Sequence, residues 1–195
     1  MARSTSTTTR ILFVSDKTTF IVFEGMDNCG KSTLLNNVVD AYSDLVKEIK
    51  FKKTLPSGAL LRINAEKDFE ILFSMFELLD PQYTYLLDRF IPSNMVYDKV
   101  LRGEDTSLSQ RYWDEFNERF DVTTIILTRP HIKADFVDDR ISLTRDQFNL
   151  ALDEYKKFGK NFQLLDRDQN DQPTKPRRVE TIEVMDLIQM TTNRF

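Results

Sequence analysis

Apolar positions along this chain alternate between two periodicities. "TTFIVFEG" (18–25) is a nearly unbroken apolar run closed by glycine, the pattern of a strand buried on both faces of a parallel sheet. From Ser32 onward Leu34, Leu35, Val38, Val39, Tyr42, Leu45, Val46 and Ile49 recur at helical spacing. A short strand is predicted at 49–53, then a turn at Pro56-Ser57-Gly58. "KDFEILFSMFELL" reads as a helix stopped by Asp80-Pro81, and "YTYLLD" as a second central strand ending in acid. Helices are predicted at 93–101 and 109–119, the latter with Trp113 and Phe116 inward, followed by a third strand, "VTTIILT". A charged amphipathic helix, "LTRDQFNLALDEYKKF", a fourth strand, "NFQLLD", and a closing helix, "VETIEVMDLIQM", complete the order, with a proline-bearing loop at 172–178. "ILFV" (11–14) adds an edge strand or hairpin, and the Ser/Thr-rich residues 1–9 read as a mobile tail before one domain spanning 10–195. Strands alternating with helices imply a three-layer α/β fold with a mostly parallel central sheet, which binds ligands at the carboxyl ends of its strands. Gly25 and Asp88 are both expected there.

Composition narrows the function. The chain has 195 residues, 41% of them hydrophobic, enough for one substantial core. A net charge of −4 argues against coating a polyanion, so no nucleic-acid partner is expected, and Lys47 to Lys53 and "KPRR" (175–178) read as solvated segments. The one cysteine, Cys29, excludes an intramolecular disulfide and a multi-cysteine zinc site and fits a reducing, cytoplasmic setting. The one histidine, His131, cannot supply a histidine metal pair. No apolar run approaches a membrane span.

Candidate chemistry centres on "EGMDNCGKST" (24–33), which joins the first strand to a helix and carries phosphate-loop spacing. Gly25 and Gly30 let backbone N–H groups of Asn28, Cys29 and their neighbours turn inward around phosphates, with Thr33 in the first helical turn. Lys31 would reach the β- and γ-phosphates, and Ser32 would ligate Mg²⁺ through its hydroxyl. Asp88 stands where a magnesium-linked carboxylate belongs or, alternatively, caps a helix; Arg89 beside it suits bidentate phosphate binding.

With "FEGMDNCGKST", "DRFIPSNMVY" (88–97), "LFSMF" (72–76) and the charged helix bearing Phe148 and Tyr155, the chain resembles thymidylate kinases, nucleoside monophosphate kinases of the phosphate-loop NTPase fold. The resemblance runs from residue 19 to about 160. It implies an ATP- and Mg²⁺-dependent transfer to a deoxynucleoside 5′-monophosphate, dTMP being the first candidate, in a homodimer. Arg89 would bind the acceptor phosphate, Asp88 would support magnesium and acceptor, and Phe73 would stack on the base. Ser93 and Asn94 would line the base pocket, Tyr97 would stand beneath the sugar, and Asp27 would approach the 3′-hydroxyl. "MDNC" holds no basic residue, so a short lid at 129–145, with Arg129, Lys133, Arg140 and Arg145, must complete the charge shell. Arg140 and Arg145 are favoured there, against surface pairs with Asp138, Asp139 or Asp146.

The chain also departs from that family. No arginine lies between Arg62 and Arg89, and Phe76-Glu77 takes the place of the thymine-reading arginine. Glu77 either faces a donor edge of a base or points to solvent. Arg62, ahead of Lys52 and Lys53, is the candidate second phosphate clamp. Another deoxynucleotide, or a nucleoside whose neutral 5′-hydroxyl requires a base, is an alternative acceptor. A nucleotide-dependent switch would need an Asn-Lys-x-Asp motif, which the sequence lacks, and a polynucleotide-end kinase would need a basic channel.

Overall fold

A computed structural model describes residues 17–51, 63, 65–137, 142–168 and 171–192. The expected edge strand at 11–14, the turn at 56–58, Lys52, Lys53, Arg62, Asp138, Asp139 and Arg140 lie outside the described residues, as do residues 1–9. The elements run β1 (Thr19–Glu24), α1 (Lys31–Ala41), β2 (Val46–Ile49), α2 (Glu66–Glu77), β3 (Thr84–Asp88), α3 (Ile91–Tyr97), α4 (Ser107–Arg119) and β4 (Asp121–Leu127). They continue with β5 (Phe136–Val137), β6 (Ser142–Leu143), α5 (Arg145–Tyr155), β7 (Lys160–Phe162), β8 (Leu165–Arg167), β9 (Pro173–Pro176) and α6 (Arg178–Thr192). One π-helical turn, Asp98–Arg102, extends α3.

Five strands form one sheet in the order β2-β3-β1-β4-β7, every neighbouring pair parallel. β1 is central, and its alternation divides the core. Ile21 and Phe23 pack with Leu34, Leu35 and Val38 of α1, Phe148 and Leu152 of α5, and Val184 and Ile188 of α6. Phe20 and Val22 face the opposite layer, with Phe69, Phe73 and Phe76 of α2 and Tyr112, Trp113 and Phe116 of α4. The middle of a strand sandwiched this way, Phe20 to Phe23, must be apolar on both faces, which explains the unbroken run.

Two boundaries differ from the periodic reading. The helical spacing after Ser32 persists to Ile49, yet α1 stops at Ala41; Leu45 and Val46 N–H groups close a turn on the Tyr42 carbonyl. Val46–Ile49 then pairs with Thr84–Leu87 of β3, so sheet pairing overrides a spacing that both periods satisfy. "NFQLLD" divides between β7, the sheet edge, and β8, which turns away to pair antiparallel with β9 in the segment expected as a loop. The expected lid contains a second small antiparallel pair, β5 with β6. No described helix is long and apolar enough to cross a membrane.

At the carboxyl end of β1 the backbone requires glycine. Gly25 has φ +131°, and a β-carbon there would lie 2.2 Å from the Leu127 carbonyl oxygen of β4. Gly25→Ala is therefore expected to lower stability by about 3 kcal/mol or more, combining the strain of a positive φ with a backbone clash. A lowered urea midpoint with unchanged slope measures it; an unchanged midpoint would refute the close approach.

Candidate active site

β1 delivers the 25–30 loop to the mouth of the sheet, where Gly25, Asn28 and Gly30 take φ values of +131°, +59° and +88°. Repeated positive φ turns successive N–H groups toward one side, the geometry of an anion nest. Gly30 is the N-cap of α1 and supplies no side-chain cap, so the first-turn donors of that helix stay available to an anion. Lys31 is buried; burial, reinforced by the Arg89 charge and opposed by Asp88 and Asp27, pushes its ammonium down to about 8. Ser32 and Thr33 are exposed at the same helix end. Cys29 is buried, and burial pushes its thiol up to about 11, so at neutral pH it is a small packed side chain.

The β1–β3 register sets Phe23 beside Asp88, which brings the Asp88-Arg89 pair to the start of the loop. Arg89 has φ +68° and its N–H donates to the Phe23 carbonyl at 2.9 Å. Its guanidinium donates to Asp27 Oδ1 at 2.7 Å, to the Tyr155 hydroxyl at 2.9 Å and to Ser93 Oγ at 3.4 Å. The Tyr97 ring centroid lies 5.8 Å from that guanidinium and 6.5 Å from the Tyr155 ring. Asp27 is thus gathered with Arg89, Ser93 and Tyr97 of a segment far from it in sequence.

Beneath them lies a residue to which sequence reasoning assigned no role. Glu24 is wholly buried, and its carboxylate accepts from the Phe90 N–H at 2.7 Å, the Ser93 N–H at 3.3 Å and the Ser93 hydroxyl at 2.5 Å. It caps α3 from another element, placing negative charge at the helix start. Burial outweighs these bonds and pushes the Glu24 carboxyl up to about 6. The available signal was an acid ending a strand otherwise apolar. Tyr155 was also given no role; it reads as the last apolar position of α5, and its hydroxyl, bridging Arg89 and Ser93, is held protonated by burial.

Several expected positions lie elsewhere. Phe73 is 0% exposed, enclosed by Tyr112, Phe116 and Phe120 with the Arg119 guanidinium 5.2 Å from its ring, so it has no open face for a base. The Ser93 hydroxyl is committed to Glu24 and buried, which makes it a support of Arg89 rather than a pocket wall. Asn94 Nδ2 donates to the Ile63 carbonyl at 3.4 Å. Glu77 pairs with Arg119 at 2.6 Å on the surface, the solvent-side alternative. Arg145 pairs with Asp146 at 2.8 Å and is half exposed, whereas Arg129 is buried. Arg167, which no motif marks, reaches the loop and donates to the Asn28 carbonyl.

The side chains available here are of the type that could hold a magnesium ion together with phosphate. Ser32, in the first turn of α1, and Asp88, at the end of β3, are oxygen donors, and among the described residues no cluster of three acidic, histidine or cysteine side chains could hold a metal alone. Mg²⁺ characteristically takes one or two protein oxygens and completes its shell from phosphates and water.

The Glu24 carboxyl makes stability depend on pH. With a folded value near 6 against 4.5 unfolded, it binds more protons in the native state between those values. Its contribution is therefore fully present below about pH 4.5 and lost as pH rises through 6, by about 2 kcal/mol. Glu24→Gln keeps an acceptor for the α3 N–H groups and removes the titration. Urea unfolding of the variant should lose that slope between pH 4.5 and 7; an unchanged slope would assign the titration elsewhere.

Neither models of protein families nor curated protein sequences match the chain. Solved structures do. Thymidylate kinase from Ehrlichia chaffeensis superposes with a TM-score of 0.52 at 17% identity, covering 89% of this chain and 100% of that one. Thymidylate kinase from Candida albicans, described for broad substrate specificity, gives 0.55 at 16% identity over 92% of this chain and 94% of that one. YorR from Bacillus subtilis, in complex with phosphorylated GDP, gives 0.52 at 17% identity over 88% and 96%. The chain has a three-layer, phosphate-loop-like α/β fold with a distant structural resemblance to these proteins.

Proposed function

We propose that this chain is an ATP- and Mg²⁺-dependent kinase that transfers the γ-phosphoryl group to a deoxynucleoside 5′-monophosphate, with dTMP the first acceptor to test. The observation that carries this reading is Arg89, whose guanidinium is held at the phosphate loop by Asp27, 2.7 Å away. A planar, always-charged fork in the mouth of a triphosphate cradle suits a second phosphate better than a neutral hydroxyl.

The chemistry asks little more of the protein. A nucleotide 5′-phosphate is largely a dianion at neutral pH, by analogy with a phosphoserine second pKa of about 6, so it attacks without a strong general base. Glu24 is not poised to be one: it is wholly buried with both carboxylate oxygens engaged on α3. What remains is in-line positioning and neutralisation of charge, supplied by the loop N–H groups, Lys31 and Arg89. Ser32 and Asp88 would hold Mg²⁺, which supplies further neutralisation when bound. Asp27, released when phosphate takes Arg89, becomes available to the sugar, with Tyr97 beneath it.

With Phe73 enclosed and Glu77 tied to Arg119, base choice rests on other residues, so purine and pyrimidine acceptors both belong in the assay. Two copies associating through the exposed Ile71 and Met75 of α2 and Leu78 just beyond it would give the homodimer; a monomer in light scattering at micromolar concentration would remove that part.

In a coupled ADP-release assay against ribo- and deoxynucleoside monophosphates and nucleosides, the chain should show acceptor-dependent turnover with a deoxynucleotide. None from any acceptor would sink the enzyme reading, and faster turnover of a ribonucleotide would remove Tyr97 from its role. Arg89→Ala should raise the acceptor KM about tenfold or more while leaving MgATP affinity close to native.

Lys31 adds a pH dependence. Its ammonium sits near 8 in the free protein, and a bound phosphate favours the charged form. MgATP affinity should be greatest below pH 8 and weaken above it by up to about tenfold per unit. Lys31→Arg should flatten that profile in a fluorescent-nucleotide titration, and a native profile flat to pH 9.5 would contradict it.

A further inference from the structure

On the side of β1 away from Arg89, two arginines are buried together. Arg129 follows β4, and Arg167 ends β8; their side chains are 2% and 6% exposed. A buried guanidinium is costly unless its charge and its donors are met. Here one carboxylate serves both. Asp171 forms an ion pair with Arg129 Nη2, and its Oδ1 lies 3.7 Å from Arg167 Nη1, which also donates to the Asp171 carbonyl at 2.6 Å. Asp171 itself holds φ +65°, a conformation uncommon for a side-chain-bearing residue.

The pairing is incomplete. The Nε groups of Arg129 and Arg167 are buried and have no hydrogen-bond acceptor among the described residues. Among the described residues, two guanidiniums against one carboxylate leave an excess of positive charge, and burial, reinforced by the Arg129 charge, pushes Arg167 below the usual arginine range. Arg167 Nη2 meanwhile donates to the Asn28 carbonyl, tying the pair to the phosphate loop.

We propose that Arg129 and Arg167 bind the polyphosphate of the donor nucleotide, and that Asp171 is a stand-in anion which this polyphosphate displaces. The inference rests on the kinase reading and assigns it two cations and a competing carboxylate. The sheet order separates the two phosphates: Arg89 comes from β3 and Arg129 from β4, on opposite sides of β1 and its loop. Arg89 is engaged by Asp27, Ser93 and Tyr155, none of which contacts Arg129 or Arg167 in the hydrogen bonds and ion pairs described. The arginine pair therefore serves the donor. Its polyphosphate offers several anionic oxygens where Asp171 offers one carboxylate, so it meets donors that Asp171 leaves unmet.

Calorimetric titration of the full chain with inorganic tripolyphosphate, with MgATP and with dTMP tests this. Arg129→Gln and Arg167→Gln should each weaken tripolyphosphate and MgATP by about ten- to hundredfold and leave dTMP affinity within about twofold. Asp171→Asn, which removes the competitor, should tighten tripolyphosphate severalfold. Arg129→Lys and Arg167→Lys, which keep the buried charge, should be intermediate and guard against misfolding of the glutamine variants, as do native circular dichroism spectra. Native tripolyphosphate affinity in folded arginine variants, or weaker binding in Asp171→Asn, would overturn the proposal. If Lys31→Met abolishes tripolyphosphate binding while the arginine variants do not, the phosphate-loop reading stands and only this inference falls. A native chain that binds neither tripolyphosphate nor MgATP removes both.

Discussion

The buried carboxylate of Glu24 is the constraint on which the site depends. It ends β1, the central strand, and immediately precedes the 25–30 loop; it also caps α3, the helix that follows Asp88-Arg89. One side chain thus fixes the separation between two segments that lie 66 residues apart. Three donors converge on it, yet burial still raises its pKa, so desolvation exceeds what those bonds return. A leucine in its place would relieve the desolvation and leave the Phe90 and Ser93 N–H groups without their acceptor. The arrangement gains position at the expense of stability, and Arg89 is the side chain that it positions.

The layers of the fold were legible because the strands that matter are central. The middle of β1, most of β3 and the second half of β4 meet helices on two faces, and only apolar stretches satisfy that surrounding. At the periphery the rule weakens. β2 and β7 flank the sheet, and their residues face the core on one side only, so Val46 and Ile49 fit a helix and a strand equally well in sequence. Only pairing with β3 decides between them, and pairing is not a local property. β8 and β9 carry no apolar alternation at all; Pro173 and Pro176 bracket a strand that exists because it faces β8.

The same divide separates what could be read of the candidate site. The 25–30 loop has glycines and a helix start within ten residues; Gly25 and Gly30 take positive φ and Lys31 opens α1. Asp27 and Arg89 each belong to a local motif, and their meeting follows from the β1–β3 register. Tyr155, Arg129 and Arg167 come from three further elements, and no spacing within one segment reports which of many tyrosines and arginines will turn inward. Phe73 and Arg145 show the converse. Phe73 occupied a matching motif position and Arg145 flanked the start of the charged helix, but the aromatic core between α2 and α4 enclosed the first, and the second took the alternative pairing with its neighbour Asp146.

On the proposed reading, the two guanidinium sites follow one physical logic. Arg89 rests against Asp27, and Arg129 with Arg167 against Asp171. A cation buried without a counterion would cost several kcal/mol of desolvation, so the ligand-free fold is stabilised by carrying its own carboxylates. A phosphate that replaces such a carboxylate gains only the difference between the two pairings, which lowers affinity relative to an empty cationic pocket. In exchange, a ligand with a single weak anionic group gains almost nothing over the internal partner, and only one with several phosphate oxygens displaces it. Discrimination for polyanions thus arises from the competing carboxylates as much as from the arginines, with Asp27 and Arg89 placed by the central sheet and Arg167 and Asp171 by the separate β8–β9 pair.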